Sequence, residues 1–443
     1  MKVCFVAPYS YSLFDPSQHY PFGGIEVQAH LLATGLARRN GYDVSFVVFD
    51  HDQPSPRNFS GVRVLKYLPS KRSRIFPHPV DFLVPSMLRR SVSTSAGRVV
   101  ALGQKPLTKP LYHAIMAIQG FIDCVRALRT SGEILRDWLT YHRVWLEGRS
   151  AYYRFPNRVE TYRLIDADVY IGFGASELMA ELAASCRLRG RKFVLFGASD
   201  SDFDDSYVPR SMARNYYGCR AGHCHFSLIS ADHVVVQNDR QKEAAWKHFG
   251  QDGTIILNPI DLSVQPNPER PMGERDTILW IGKADMVKRP LLVYDIARAC
   301  PDLKFKMVIN PNRPEVQARL VEERPDNVEI VEMIARSEVP AAMERSILLV
   351  NTSRFEGFSN AFLEAFRAGT PVVSLAVDPS RVIDTWGCGR ALGGDMDAMI
   401  AAIRHLASDK TAWETASASA RDYVARHHAI DVIIDQVVEV LGR

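Results

Sequence analysis

Residues 351–364 read Asn351-Thr352-Ser353-Arg354-Phe355-Glu356-Gly357-Phe358-Ser359-Asn360-Ala361-Phe362-Leu363-Glu364, a stretch rich in groups suited to an anionic ligand that carries hydroxyls. It follows the apolar run Ile347 to Val350 and leads into a helical pattern closed by Gly369. The loop is therefore expected at the carboxyl end of a strand. Gly357 lets the backbone come close to a ligand, Ser359 or Asn360 can cap the helix, and the amides of that first turn favour an anion. A diphosphate suits this place. Were Glu356 and Glu364 on one continuous helix, their carboxylates would be about 12 Å apart along its axis, too far for the paired carboxylates of a glycosidase. A better division has each glutamate accept hydrogen bonds from the hydroxyls of a different group, with the diphosphate between them.

A second loop offers the matching cations. The run Ile278 to Gly282 ends in Gly282-Lys283-Ala284-Asp285-Met286-Val287-Lys288-Arg289-Pro290, where Lys283 and Lys288, with Arg289 next, could neutralise a diphosphate. An exposed basic turn would look the same in isolation. Near the start, Gly23-Gly24 precedes a helical pattern and would let that loop approach phosphates. Further on, Ser199, Asp200 and Asp202 lie in an acidic loop that could bind acceptor hydroxyls, or be merely solvated. Cys219, His223, Cys224 and His225 crowd together, but their spacing fits no structural zinc pattern and no metal is expected.

The elements that must hold these loops follow from periodicity. Lys2 to Ala7 reads as a strand, Ile25, Leu31, Leu32 and Leu36 as a helical stripe ended by Gly41, and Val44 to Phe49 as a second strand. The alternation returns with strands at Asp168 to Phe173, Lys192 to Gly197, Asp232 to Gln237 and Thr254 to Leu257. A polar stretch from Asp261 to Asp276, with Pro266, Pro268 and Pro271, separates these from strands at Thr277 to Gly282, Phe305 to Ile309, Val328 to Val331, Ile347 to Val350 and Pro371 to Leu375. The pattern predicts an α/β protein of two doubly wound parallel-sheet domains. The first covers residues 1–262 and the second 263–427, with a terminal helix at about 428–443. Residues 70–160 show helical patterns around Leu83 to Arg90, Leu111 to Leu128 and Ile134 to Arg149, and read as a helical insertion.

The 443 residues carry 47% hydrophobic and 23% charged side chains, proportions that exclude a collagen-like, disordered or coiled-coil chain. No apolar window of about 18 residues suggests a membrane span. Seven scattered cysteines argue for reduced thiols and a cytoplasmic setting. The net charge is only +4, yet residues 71–160 hold fifteen Lys/Arg against six Asp/Glu, so the rest of the chain is net acidic. Within that segment Lys71, Arg72, Arg74, Arg89 and Arg90 neighbour Phe82, Leu83, Val84, Met87 and Leu88. Such a face could lie on an anionic membrane at residues 71–90, or simply be solvated. No nucleic-acid partner is expected, since the chain has no recognised binding motif.

Taken together, Gly282-Lys283, Lys288-Arg289-Pro290, Asn327-Val328, Glu356-Gly357-Phe358, Glu364-Ala365 and Gly369-Thr370-Pro371-Val372-Val373 resemble the retaining glycosyltransferases of the GT-B fold, family 4 (glycosyltransferase group 1). The resemblance covers most of the second half. It extends into the first through Gly23-Gly24-Ile25-Glu26, Ala231-Asp232 and Asn258-Pro259-Ile260-Asp261. It implies two facing Rossmann-like domains and transfer of a sugar from a nucleoside diphosphate sugar to an acceptor hydroxyl. No cofactor is implied, the acceptor would be a glycan or a lipid-linked molecule, and the terminal helix would pack back on the first domain. A role in cell-surface polysaccharide or glycolipid synthesis follows. By motif match Lys283 and Lys288 receive the leaving diphosphate, Glu356 holds donor-sugar hydroxyls and Glu364 the ribose, while the amides of Gly357, Phe358 and Ser359 complete the cradle. The sequence departs from the family at Asp168 to Ser176, which lacks a histidine often found there. A GT-B epimerase or phosphorylase, or a nucleotide-sugar-binding subunit without turnover, are the alternatives.

Overall fold

The computed structural model describes residues 1–18, 20, 22–68, 156–209, 211–264, 270–310 and 313–442. The chain divides into two compact units. One comprises Met1–Val6, Gly41–Leu195 and Asp205–Val234; the other comprises Ala7–Asn40, Phe196–Asp204 and Val235–Arg443.

Eight strands form one sheet: β1 Lys2–Val6, β2 Asp43–Val48, β3 Arg57–Phe59, β4 Val62–Lys66, β5 Val169–Phe173, β6 Lys192–Phe196, β7 His233–Val236 and β8 Thr254–Ile255. Their order is β3-β4-β2-β1-β5-β6-β7-β8. The β3–β4 pair is antiparallel, whereas β1–β2, β1–β5, β2–β4 and β7–β8 are parallel. β1, Lys-Val-Cys-Phe-Val, and β5, Val-Tyr-Ile-Gly-Phe, have almost every residue buried, as a parallel strand covered on both faces requires.

Six more strands form a wholly parallel sheet: β9 Thr277–Lys283, β10 Phe305–Asn310, β11 Val328–Glu332, β12 Ser346–Asn351, β13 Val372–Ser374 and β14 Gly389–Ala391. Its order, β11-β10-β9-β12-β13-β14, reverses direction between β9 and β12. In a doubly wound sheet that reversal opens a crevice beyond the carboxyl ends of the two strands, where ligands bind. Both charged loops singled out by the sequence leave the sheet here.

Helix ends follow local chemistry. Asn238 accepts a hydrogen bond from the Gln241 amide at 2.8 Å and starts the helix Asp239–Phe249, which Gly250 ends at φ 66°. Glu26 Oε2 accepts from the Gly23 amide at 2.8 Å and holds the start of the helix Gly24–Ala37. That helix packs on the terminal helix Ile430–Gly442 at Gly35, where an added Cβ would lie 2.8 Å from Ile434. Arg39 Nη2 joins the same pair through Asp435 Oδ1 at 2.7 Å.

Three strands were not expected from the sequence. β3 and β14 read Arg-Asn-Phe and Gly-Arg-Ala, too short and polar to show a period, and β4 lies beside β3 at the sheet edge. The expected helical insertion at about 70–160 lies outside the described residues except for the helix Pro156–Ile165, and the basic face at 71–90 lies wholly outside them.

Replacing Gly35 by Leu forces a branched side chain into the contact with Ile434, and overpacking of this kind destabilises by about 1–3 kcal/mol. Urea unfolding should show that loss, and unchanged stability would contradict the close helix contact.

Candidate functional site

Every residue of the site lies within the second unit. β9 and β12 run side by side, Leu348 opposite Ile278 and Leu349 opposite Leu279, so their following loops start as neighbours. Asp285 folds the first loop back, its Oδ1 accepting from the amides of Val287 at 3.0 Å and Lys288 at 2.8 Å. Thr352, fully buried, ties the two loops together. Its hydroxyl donates to the Lys288 carbonyl at 2.7 Å and accepts from the Trp280 indole at 3.0 Å. The Arg354 amide donates to the Val287 carbonyl at 2.9 Å. Arg289, at φ 50°, donates Nε to the Thr352 carbonyl at 2.6 Å and Nη2 to the Ser353 carbonyl at 3.1 Å. Arg289, expected to neutralise a diphosphate, fastens one loop to the other through these two bonds. Burial lowers its pKa.

This stitching brings Lys288 Nζ into contact with Glu356 Oε1. The same carboxylate oxygen accepts from Ser353 Oγ at 2.7 Å, and Ser353 Oγ accepts in turn from Asn351 Nδ2 at 3.2 Å. Gly282 leaves room for this. A Cβ there would come within 3.0 Å of the Trp280 ring and 3.6 Å of Lys288 Cγ. Lys283, at the end of β9, lies against the Gly23 loop, its Nζ 3.5 Å from where a Gly23 Cβ would stand. The adjacent Gly24 carbonyl accepts from Asn360 Nδ2 at 2.7 Å. Gly23, Gly24, Lys283 and Asn360, far apart in sequence, are thus gathered together.

Gly357 occupies a place no other residue could. A Cβ on it would be 1.9 Å from Gln237 Oε1 and 2.8 Å from the Ala198 carbonyl. The next residue departs from expectation. The Phe358 amide donates to Gln237 Oε1 at 2.7 Å, its carbonyl accepts from Asn258 Nδ2 at 2.9 Å, and its ring packs 4.7 Å from that of His428 in the core. Phe358 therefore anchors the turn and its amide is not open to a ligand. Ser359, buried at the N-cap of the helix Asn360–Arg367, makes no side-chain capping bond. Of the first-turn amides, that of Phe362 donates to the Ser359 carbonyl at 3.0 Å, and those of Asn360 and Ala361 have no carbonyl of their own helix to bind.

Glu364 is buried, 4% exposed, on a helix whose residues Phe362 to Arg367 are all buried. Its Oε1 meets Arg336 Nη2 and its Oε2 meets Arg367 Nη2. Arg367 also donates Nη1 to the Asp261 carbonyl at 2.7 Å, and burial lowers its pKa. A charge this deep must be paired, and two arginines pair it.

The acidic loop after β6 separates into two roles. Asp202 Oδ2 accepts from the amides of Ala198 at 2.8 Å and Ser199 at 2.9 Å, so Asp202, expected on the acceptor side, shapes its own loop. Ser199 accepts from the Ser201 hydroxyl at 3.1 Å. Asp200 Oδ1 accepts from Asn238 Nδ2 at 3.2 Å and Gln241 Nε2 at 3.1 Å. Burial raises its pKa, with the Glu356 charge adding to the rise.

Residues 275–409 match the family described as glycosyl transferases group 1. Sucrose-phosphate synthase from Thermosynechococcus elongatus is similar at 14% identity and TM-score 0.62, over 100% of this chain and 98% of that one. HepE from Anabaena, in complex with UDP and glucose, is similar at 13% identity and TM-score 0.60, over 100% and 99%. A TarM variant from S. aureus, in complex with fondaparinux, α-GlcNAc-glycerol and UDP, is similar at 14% identity and TM-score 0.53. The match covers 64% of this chain and spans only 58% of TarM. No curated protein matches the sequence well enough to count as a relative. The fold is GT-B. Residues 275–409 carry a domain of the glycosyltransferase type.

Sequence reading missed Gln237, Arg336, Arg367 and Thr352. Gln237 directly follows the apolar run of β7, and a buried amide at a strand end was the available signal. Thr352 stands in the same relation to β12.

His428 ties this core together, its ring nitrogens meeting the Asn258 carbonyl at 2.7 Å and the Tyr423 hydroxyl at 3.0 Å. Burial lowers its pKa to about 4, and burial with the nearby Arg336 charge lowers that of His30 to about 4. Both are neutral when folded, so the unfolded chain takes up protons between pH 6.5 and 4 that the folded chain refuses. Stability is full above pH 6.5 and falls as pH drops, by about 3 kcal/mol from His428. Urea midpoints at pH 7.0, 5.5 and 4.5 should decline in order, more steeply in the wild type than in His428→Gln. An equal slope in the two proteins would exclude His428 as a cause.

Proposed function

We propose that this chain is a retaining glycosyltransferase that moves a sugar from a nucleoside diphosphate sugar to an acceptor hydroxyl. The observation that carries the reading is the Lys288–Glu356–Ser353 cluster, held at the reversal point between β9 and β12 beside an open helix start. The glycosyltransferase match over residues 275–409 supports it, as do neighbours of the same fold seen with UDP, or with UDP and glucose.

In this reading the diphosphate draws Lys288 away from Glu356 and meets Lys283 and the first-turn amides of the helix Asn360–Arg367. Glu356, still oriented by Ser353, is then free to accept from hydroxyls of the donor sugar. Negative charge grows on the departing phosphate as its bond to the anomeric carbon breaks, while the acceptor oxygen bonds that carbon and its proton passes to the phosphate. Fixed cations and helix-start amides stabilise that charge more than they stabilise the intact donor, which is what accelerates the step. Glu364 accepts from the ribose hydroxyls. Asp200 orients the acceptor hydroxyl, for which a half-buried carboxylate of raised pKa is a strong hydrogen-bond acceptor. Water must be kept away, because hydrolysis of the donor competes. Synthesis of a cell-surface polysaccharide or glycolipid from the cytoplasmic side is the setting that best fits such chemistry. Among the described residues no helix is long and apolar enough to cross a membrane.

Glu356→Ala and Lys288→Ala should each lower turnover at least about 100-fold, the order expected for a preorganised contact to the transition state. Thermal unfolding of both variants should stay near that of the wild type. Near-normal turnover in both would refute the assignment. A panel of nucleoside diphosphate sugars should contain one that raises the melting temperature, since a ligand that binds only the folded chain stabilises it.

A further inference from the structure

We infer that Arg336 selects the donor by its nucleobase and favours bases that present a ring carbonyl over adenine. This rests on the reading of Glu364 as the ribose-binding carboxylate and extends it to the neighbouring group of the same nucleotide.

Arg336 begins the short turn Arg336–Glu338 that follows β11, a turn fixed by Glu338 Oε2 accepting from the Ala335 amide at 2.8 Å. From there its guanidinium reaches Glu364 Oε1. The two arginines on Glu364 differ. Arg367 is 5% exposed in its side chain and also held by the Asp261 carbonyl, so it belongs to the interior. The Arg336 side chain is 31% exposed, and among the described residues Glu364 is its one hydrogen-bond partner. A carboxylate has about four lone-pair sites, so Glu364 can hold both arginines and still accept from a ribose. The guanidinium has five donors and no acceptor. With one face on Glu364, its remaining N–H groups stand beside the place a ribose would take, where the attached base presents its edge. A ring carbonyl, as in uracil, hypoxanthine or guanine, accepts such hydrogen bonds. The exocyclic amino group of adenine meets donor with donor, and only the weaker ring-nitrogen acceptors of that base remain for the guanidinium.

Inosine diphosphate and adenosine diphosphate differ at that edge by carbonyl against amino group and share ring size and phosphates. Calorimetric titration of the full chain should give UDP and inosine diphosphate at least about tenfold tighter than adenosine diphosphate, the discrimination expected of one hydrogen bond to a charged donor. Arg336→Met should bring inosine and adenosine diphosphates within about twofold of each other. Arg336→Lys, which keeps the charge but loses the planar fork, should fall between. Glu364→Ala should weaken all three together. Equal affinity for inosine and adenosine diphosphates in the wild type, or an unchanged ratio in Arg336→Met that unfolds like the wild type, would overturn the inference and leave the ribose assignment standing. Failure of all three nucleotides to bind the wild type would overturn both.

Discussion

An ammonium and a carboxylate held in contact at the ends of two adjacent parallel strands is the interaction on which the rest of this site depends. Lys288 and Glu356 lie 68 residues apart. Neither loop could hold its charge in place alone, because a lysine side chain loses much rotamer freedom when fixed. The buried hydroxyl of Thr352, the Asp285 turn and the Arg289 fork fix the backbone from which both side chains spring. These groups donate to or accept from backbone, so they fix where the loops run and leave the ionic pair to respond to a ligand.

The second charged cluster follows the same logic under a stricter condition. Glu364 is buried on a helix whose residues Phe362 to Arg367 are all buried, and an unpaired carboxylate there would be strongly unfavourable. Arg367 at i+3 supplies one partner and Arg336, from another strand's loop, supplies the second. Pairing stabilises the charge, and the difference in exposure between the arginines leaves one side of the cluster able to meet something else.

Between the clusters runs a neutral network. Gln237 and Asn258 grip both backbone groups of Phe358 and each other, with Gln237 Nε2 donating to Asn258 Oδ1 at 2.8 Å. Leaving either buried amide without partners would be destabilising by about 1–3 kcal/mol. The network therefore sets the start of the helix Asn360–Arg367 to within hydrogen-bond tolerance. Gly357 is its necessary companion, since any side chain would displace Gln237.

The residues alone were enough for the strands of both sheets that are long and apolar, for the helix after Gly23-Gly24 and the terminal helix, and for the two loops that carry opposite charge. Those features are local: a buried parallel strand needs a run of apolar side chains, and a capped helix needs particular types at its ends. What local pattern could not decide was who meets whom. Phe358 reads as part of a ligand cradle until Gln237, 121 residues away, takes its amide. Arg289 and Asp202 read as free charges until nearby carbonyls and amides take up part of their hydrogen-bond capacity. The division of Glu364 between two arginines is likewise invisible in sequence. Hydrogen-bond capacity is finite, and which partner fills it is decided by packing, so the same residue types become ligand groups or scaffold according to what the folded chain brings beside them.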